Sequence, residues 1–128
     1  MGKSLGSQLQ NGVLNFNFNI FMKLFNIEEM KGGWFVGDFD PSAYKTTNFE
    51  VGYKFHRKGE FWEKHYHEKC TEINFLIKGV MKMRGQILKS GQIFVMEPLE
   101  VADPEFIEDC QLVVVKTNSQ KGDKICME

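Results

Sequence analysis

The stretch from residue 59 to 79 constrains this chain most, because it places two histidines and a carboxylate at the spacing of β-strands. His65 and His67 are one residue apart, and side chains two positions apart on a strand point to the same face. Glu72 follows five residues later, beyond residues 68–71, which are suited to a turn. If the chain doubles back as a hairpin, Glu72 comes up beside the imidazoles. Two histidines and one carboxylate on one face can hold a metal ion and leave positions open.

The same stretch resembles the first signature motif of the cupin superfamily. That motif runs Gly, five residues, His-x-His, a short gap, Glu, six residues, Gly, and the matching positions are Gly59, His65, His67, Glu72 and Gly79. The resemblance implies an all-β, double-stranded β-helix (a jelly-roll cupin barrel) with the site inside the barrel mouth.

The second cupin motif is mostly absent, and Gly91 is its one matching residue. The other four motif positions are occupied by Glu97, Leu99, Ala102 and Phe106. We take Ala102 as the counterpart of the histidine that is the fourth ligand, because this keeps the Gly91 register and a one-residue slip would reverse every side chain. Counting from Pro98 instead would put Asp103 at that position.

The remaining set of His65, His67 and Glu72 can hold one divalent ion, such as iron, manganese, nickel or zinc. Binding should be weakened by Ala102, because one ligand is lost. The alternative is a pocket without metal. There the histidines would contact the ligand or act as acid and base, since a free imidazole has a pKa of about 6.5.

The fold does not determine the reaction, since cupins include isomerases, epimerases, dioxygenases, decarboxylases and binding proteins. Our leading hypothesis is an enzyme acting on a polar carbohydrate or keto-acid-like substrate by isomerase- or epimerase-type proton transfer. His65 or His67 would be the base, and Glu72 would orient it. The alternatives are a non-catalytic ligand-binding or sensor cupin and a metal-dependent dioxygenase.

Strand parity suggests further ligand-binding residues. Glu63 has the parity of the two motif histidines, and Asn74 has the parity of Glu72, so both could hydrogen-bond a ligand. Tyr53 alternates with polar residues and is expected in the core with Phe55, where an aromatic ring can also stack on a sugar. His56 falls on the polar side of that strand and is predicted to be a surface imidazole.

The rest of the pattern predicts an all-β sandwich or barrel. Short apolar or alternating segments, separated by Gly, Pro and Asp, occur at 34–36, 49–55, 80–83, 87–88, 92–96 and 111–117. Residues 22–30 fit a short N-terminal helix, and a polar tail is predicted from Asn118 onward.

Residues 1–21 are predicted to be an extension that precedes a barrel domain at 22–128, and Met22 could be the natural start. Leu14, Phe16, Phe18 and Ile20 alternate with polar residues, which is typical of an edge strand. An uncovered edge can also pair with a second subunit. Together with the family resemblance, this predicts a homodimer.

Composition limits the partners and the compartment. Sixteen basic and seventeen acidic residues nearly cancel, so no cluster of cations indicates nucleic acid or an anionic membrane as a partner. No 18-residue apolar segment is present, and the first residues are a poor secretory signal. Three cysteines without a Cys-x-x-Cys pair predict free thiols in the cytoplasm. The expected partner is a small molecule.

Overall fold

The structure is a computed structural model that describes residues 22–127. These residues form short strands in the order β1 (Trp34–Gly37), β2 (Tyr44–Lys45), β3 (Glu50–His56), β4 (His65–His67), β5 (Glu72–Lys78), β6 (Val80–Met83), β7 (Gln86–Lys89), β8 (Ile93–Met96), β9 (Glu105–Phe106), β10 (Cys110–Lys116) and β11 (Lys124–Cys126). A six-stranded sheet has the order β2-β1-β3-β10-β5-β8. The other strands form a sheet in the order β7-β6-β9 and a pair of β11 with β4. The prediction of an all-β barrel is confirmed.

The predicted helix over residues 22–30 is wrong. Single 3-10 turns occur instead at Ile27–Glu29 and Lys31–Gly33. Met22 and Leu24 are 84% and 81% exposed, so the first part of this segment has little tertiary packing. A short segment without tertiary packing lacks the stabilisation that most protein helices need.

The motif strands are not a hairpin, contrary to the sequence-based expectation. β4 pairs with β11, whereas β5 pairs with β10 and β8, so residues 68–71 cross from one sheet to another. The crossing still brings the two strands to one cavity, because the sheets face each other in the barrel. The partner strand β11 lies in the tail that was predicted to be merely polar.

The two faces of β3 are inverted relative to the prediction. Gly52 and His56 are buried, whereas Phe55 is exposed and Tyr53 is half-buried. The prediction that His56 is a surface imidazole is therefore wrong, since it is 8% exposed. Alternation distinguishes two faces of a strand, but it cannot say which face turns inward when the interior is itself lined by polar groups.

An apolar cluster fills the part of the barrel next to the polar site. Its buried members are Leu76, Met81, Met83, Met96, Ala102, Phe106, Cys110, Leu112 and Val114. These residues come from both sides of the barrel, so the cluster holds the sheets together. The predicted strand at residues 14–20 lies outside the described residues. Within residues 22–127, no helix is both long and apolar enough to cross a bilayer.

Gly79, the last motif glycine, gives a test of this packing. Its φ is 112°, and a Cβ there would collide with the Asp109 carbonyl oxygen and lie 2.8 Å from the Cys110 sulfur. We expect Gly79→Ala to lower the free energy of unfolding by about 3 kcal/mol, because steric overlap adds to backbone strain. Gly91 is the control, since its φ is 92° and a Cβ there meets nothing within 4 Å. Gly91→Ala should lower the free energy of unfolding by only about 1 kcal/mol, as measured by denaturant unfolding. Equal losses in the two variants would contradict the packing argument.

Candidate functional site

One cavity of about 170 Å³ inside the barrel brings the motif residues together. His65 and His67 enter it from β4, and Glu72 and Asn74 enter it from β5. Both histidines are buried, and their ring centroids are 5.5 Å apart. Asn74 Nδ2 donates to Glu72 Oε1 at 3.3 Å, which orients that carboxylate.

The backbone selects the tautomer of His65. Its Nδ1 lies 3.0 Å from the Glu63 carbonyl oxygen, which can only accept, so Nδ1 must carry the proton. Nε2 is then left with a free lone pair, as in metal-binding histidines whose other nitrogen is held by a carbonyl. Burial lowers the pKa of His65, and the nearby Lys124 charge acts in the same direction, although the bond to Glu63 opposes both. His65 is thereby favoured in its neutral form.

His67 lies between two carboxylates without a hydrogen bond to either. Its Nε2 is 3.3 Å from Glu72 Oε2 and its Nδ1 is 3.8 Å from Asp123 Oδ2. Both nitrogens are buried and lack a hydrogen-bond partner in the described part of the chain. Burial would raise the pKa of Glu72, but His67, Lys116 and the Asn74 amide hold it below its usual range. An orphaned imidazole beside a carboxylate points to a missing ligand or ion.

His67 and Glu72 have donor atoms at the separation of two ligands of one ion. Two atoms bound to one ion at about 2.1 Å each lie about 3.0–3.4 Å apart, which matches His67 Nε2 and Glu72 Oε2. Ala102 lines the cavity beside His65, and their backbones exchange hydrogen bonds of 2.7 and 3.1 Å. Asp103 is turned away, and its Oδ1 accepts from the Arg84 amide at 2.7 Å. Ala102, not Asp103, thus lines the cavity.

A second cluster of donors adjoins the first. Atoms of His67, Cys70 and Asp123 lie within 4.8 Å of one another. Burial and the adjacent Asp123 raise the pKa of the Cys70 thiol to about 12, so in the absence of an ion Cys70 is a neutral thiol. Asp123 also accepts from the Lys69 and Cys70 amides at 2.9 and 3.1 Å. We interpret this cluster as a clamp that holds the crossing segment to the chain before β11.

Three lysines make the cavity positive. Lys54, Lys116 and Lys124 line it, against the single carboxylate of Glu72. Burial lowers the pKa of Lys54, and the charges of the other two lysines lower it further. Lys116 Nζ lies 3.7 Å from Glu50 Oε1, so part of its charge is balanced. The excess of cations favours an anionic ligand.

His56, the last residue of β3, lines the same cavity and pairs with Glu60 outside the lining, and the sequence analysis missed this pair. His56 lines the cavity, and its Nδ1 is 2.8 Å from Glu60 Oε2, which also accepts from Trp62 Nε1. The His56 ring stacks on Phe106 with centroids 4.2 Å apart. Burial would raise the pKa of Glu60, but the bonds from His56, Trp62 and the Arg57 amide lower it to about 2. The four-residue spacing of His56 and Glu60 is a signal in the sequence, but strand alternation predicts that His56 points away from the interior.

Two predicted ligand-binding residues lie outside this cavity. Glu63 precedes β4, so strand alternation does not extend to it, and its side chain lines an outer groove with Phe61. Tyr53 lines a shallow groove with Ile27 and Phe55 on the outward side of β3. The structure therefore brings His65, His67, Glu72 and Asn74 together but not Glu63 or Tyr53; only the Glu63 carbonyl reaches the site.

No protein-family model matches the sequence, and neither does any curated protein. Solved structures do match. An uncharacterized protein with a double-stranded β-helix domain from Klebsiella pneumoniae has a TM-score of 0.62 at 18% identity, over 90% of this chain and 99% of that one. An RmlC-like cupin protein from Ralstonia eutropha has a TM-score of 0.53 at 12% identity, over 74% and 62%. The chain has a cupin fold.

A third similar structure, DMSP lyase DddQ from Ruegeria pomeroyi, has a TM-score of 0.62 at 12% identity and covers 73% of this chain and 49% of its own. At these identities the comparisons establish the cupin barrel only.

The low pKa of Glu60 predicts how stability changes with pH. A carboxyl whose pKa is about 2 when folded, against 4.5 otherwise, stabilises the fold above pH 4.5, and this contribution is lost as the pH falls toward 2. Because this side chain is 34% exposed, we expect Glu60→Gln to cost only about 1 kcal/mol at pH 7. Denaturant unfolding at pH 7 and at low pH measures the loss of stability in Glu60→Gln and its dependence on pH. The control is Glu105→Gln, whose side chain has no hydrogen bond to residues 22–127. A loss from Glu60→Gln that persists unchanged at low pH would contradict the prediction.

Proposed function

We propose that this cupin is an enzyme that binds a small, anionic, keto-acid-like compound and transfers a proton beside its carbonyl group. The observation that carries the proposal is the convergence on one cavity of three histidines, one carboxylate and three lysines: His56, His65, His67, Glu72, Lys54, Lys116 and Lys124. A site of this kind offers a place for a carboxylate, for a carbonyl oxygen and for a mobile proton.

Size and charge favour a small acid over a larger sugar. A volume of about 170 Å³ is below the roughly 300–1,000 Å³ of pockets for drug-sized ligands. A compound with few heavy atoms fits such a space better than a nucleotide-linked sugar. Lys54, Lys116 and Lys124 would hold its carboxylate, since charge-assisted bonds are the strong ones. Trp34 and Trp62 lie beneath the ammonium groups of Lys116 and Lys124, at 4.7 and 4.5 Å from the ring centroids.

A divalent ion would be held by His65, His67 and Glu72, with Ala102 leaving a position open. When bound, such an ion polarises a carbonyl oxygen and stabilises the negative charge that develops on it. The Glu63 carbonyl keeps His65 in the tautomer that presents Nε2, and Asn74 keeps Glu72 oriented. Iron, manganese, nickel and zinc all suit these donors.

His56 is the group available to move the proton. The Glu60 carboxylate accepts from His56 Nδ1, which leaves Nε2 as the basic atom of an imidazole that lines the cavity. Glu60 acts as a positioning residue, because it holds the ring in place through a charge-assisted bond. The sequence-based hypothesis that His65 or His67 is the base applies when no metal is bound.

A variant of Lys124 tests whether the cavity binds an anionic ligand. We expect Lys124→Met to raise the dissociation constant for pyruvate roughly tenfold, because one charge-assisted contact is lost. Titration followed by NMR measures the constant. The matched control is Lys121→Met, three residues away on the same segment but outside the cavity lining. Equal effects of the two variants would show that the lysine does not contact the ligand.

Deuterium exchange tests the reaction and the metal. In D2O, the wild type should exchange the methyl protons of pyruvate faster than buffer does, and His56→Gln should slow this at least about 100-fold. Metal content by elemental mass spectrometry should fall in His65→Ala and His67→Ala but not in His56→Gln. Chelation should then stop exchange.

Two outcomes would redirect the proposal. Pyruvate binding without exchange, repeated across small keto acids, would indicate a binding cupin. Exchange that survives chelation and is lost in His67→Ala would assign the proton transfer to His67 without metal.

A further inference from the structure

The side chain of Lys54 belongs to the inward side of β3. Lys54 shares that side with Gly52 and His56, both of which are buried. Its partner across the strand pair is Leu112, a buried core residue that also lines the cavity. The lysine therefore leaves the strand beside apolar groups, where an ammonium ion is less well solvated than in water.

A second ammonium group lies close to that of Lys54. The Nζ atoms of Lys54 and Lys116 are 5.3 and 4.7 Å from the centroid of the same Trp34 ring. The ring attracts both cations without neutralising either charge. Lys116 forms an ion pair with Glu50, whereas no carboxylate among residues 22–127 forms one with Lys54. The positive charge of Lys54 is therefore the less well compensated of the two.

The surroundings of Lys54 favour its neutral amine. Burial lowers the pKa of Lys54, and the charges of Lys116 and Lys124 act in the same direction. Glu60 and Glu72 oppose them with smaller effects. A lysine that is desolvated or lies beside other cations has a larger fraction of free amine, which is the nucleophilic form.

The backbone orients this amine, and an acid–base group stands next to it. Lys54 Nζ donates to the Gly32 carbonyl oxygen at 2.6 Å, in the turn before β1. One N–H bond is used in this contact, so the lone pair of the neutral amine stays free. His56 follows on the same side of β3, and alternate residues of a strand are about 6–7 Å apart at Cα.

We propose that Lys54 forms a reversible imine with the keto group of the ligand. This inference rests on the proposed function, because it requires a small keto acid in the cavity. Lys54 then contacts the keto carbon and is a catalytic residue, while Lys116 and Lys124 hold the carboxylate.

The step needs only the amine, the keto acid and the transfer of protons. The Nζ lone pair forms a bond to the carbonyl carbon, and the π electrons of the C=O bond move to the oxygen. The C–O bond then breaks, the oxygen leaves as water, and the C=N bond of an iminium ion forms. One ammonium and one ketone thus give one iminium and one water, so that atoms and charge balance.

His56 can serve both halves of this reaction. It takes a proton from the Lys54 ammonium and returns it to the departing oxygen. The iminium nitrogen then attracts electrons from the adjacent C–H bond, and the neutral His56 is available to remove that proton. The imine therefore makes the methyl protons of a compound such as pyruvate exchangeable.

Reductive trapping tests the imine. Cyanoborohydride adds hydride to the carbon of an iminium ion and converts it to a stable secondary amine. Full-length protein incubated with pyruvate and cyanoborohydride should gain one carboxyethyl group, which peptide mass spectrometry should locate on Lys54. Labelling of Lys54 should be at least about tenfold faster than that of Lys121, which is exposed and outside the cavity lining.

A conservative variant separates the amine from its charge. Lys54→Arg keeps a cation and N–H donors but cannot form an imine. It should lose the label at this position and exchange the pyruvate protons roughly 100-fold more slowly than the wild type. Lys58→Arg is the matched control, since Lys58 is exposed and lies outside the cavity lining; it should behave as the wild type. Thermal melting checks that both variants fold, and the mapping of the wild type needs neither.

The outcomes distinguish the imine from the proposed function. Wild-type protein that exchanges pyruvate protons without a label on Lys54 would overturn the imine and leave the proposed function in place. Equal labelling of Lys54 and Lys121 would also overturn it. A label on Lys54 without proton exchange would support the imine and overturn the proposed proton transfer. Chelation should stop exchange but not labelling, because the amine itself forms the bond to the ligand.

Discussion

The antiparallel register of β3, β10 and β5 is the constraint on which the rest of this molecule depends. β10 lies between the other two strands, and its register sets Lys116 opposite both Glu50 and Glu72. The next inward row contains Val114 and Asn74. Shifting β10 by one residue would turn Lys116 and Val114 away from the barrel interior and bring Val113 and Val115 into it. The charge pattern of the cavity is therefore a consequence of strand register.

The residues that stabilise the barrel and the polar residues of the cavity lie in different parts of its interior. Leu76, Met81 and Phe106 belong to an apolar cluster that packs the sheets together, and burial of such side chains is the main stabilising contribution. The polar inward groups lie beside this cluster, where they are desolvated but not fully hydrogen-bonded. The orphaned nitrogens of His67 are the clearest case. Groups left in this state are available to a ligand, an ion or a proton.

Contacts between residues far apart in the sequence complete the site. β11 pairs with β4 through Lys124 opposite His67, and Asp123 binds the amides of residues 69 and 70. The end of the chain thus holds the segment that crosses between the sheets, and Lys124 adds a cation at the cavity. The separation of more than fifty residues between Asp123 and its partners explains why no local pattern indicated this role.

The sequence alone determined the all-β class and most of the strands, because strand alternation is a local property. The barrel and the grouping of His65, His67 and Glu72 followed from the resemblance to the first cupin motif, since the hairpin expected to join their strands does not form. The sequence also indicated Ala102, because the Gly91 register could be counted. Tertiary structure decided which side of β3 turns inward. As a result, His56 lines the cavity and Tyr53 does not. Tertiary structure also decided that β4 and β5 join different sheets and that β11 closes the barrel. Those facts depend on pairing between distant strands, and short polar segments such as β11 acquire strand structure only from the partner that hydrogen-bonds to them.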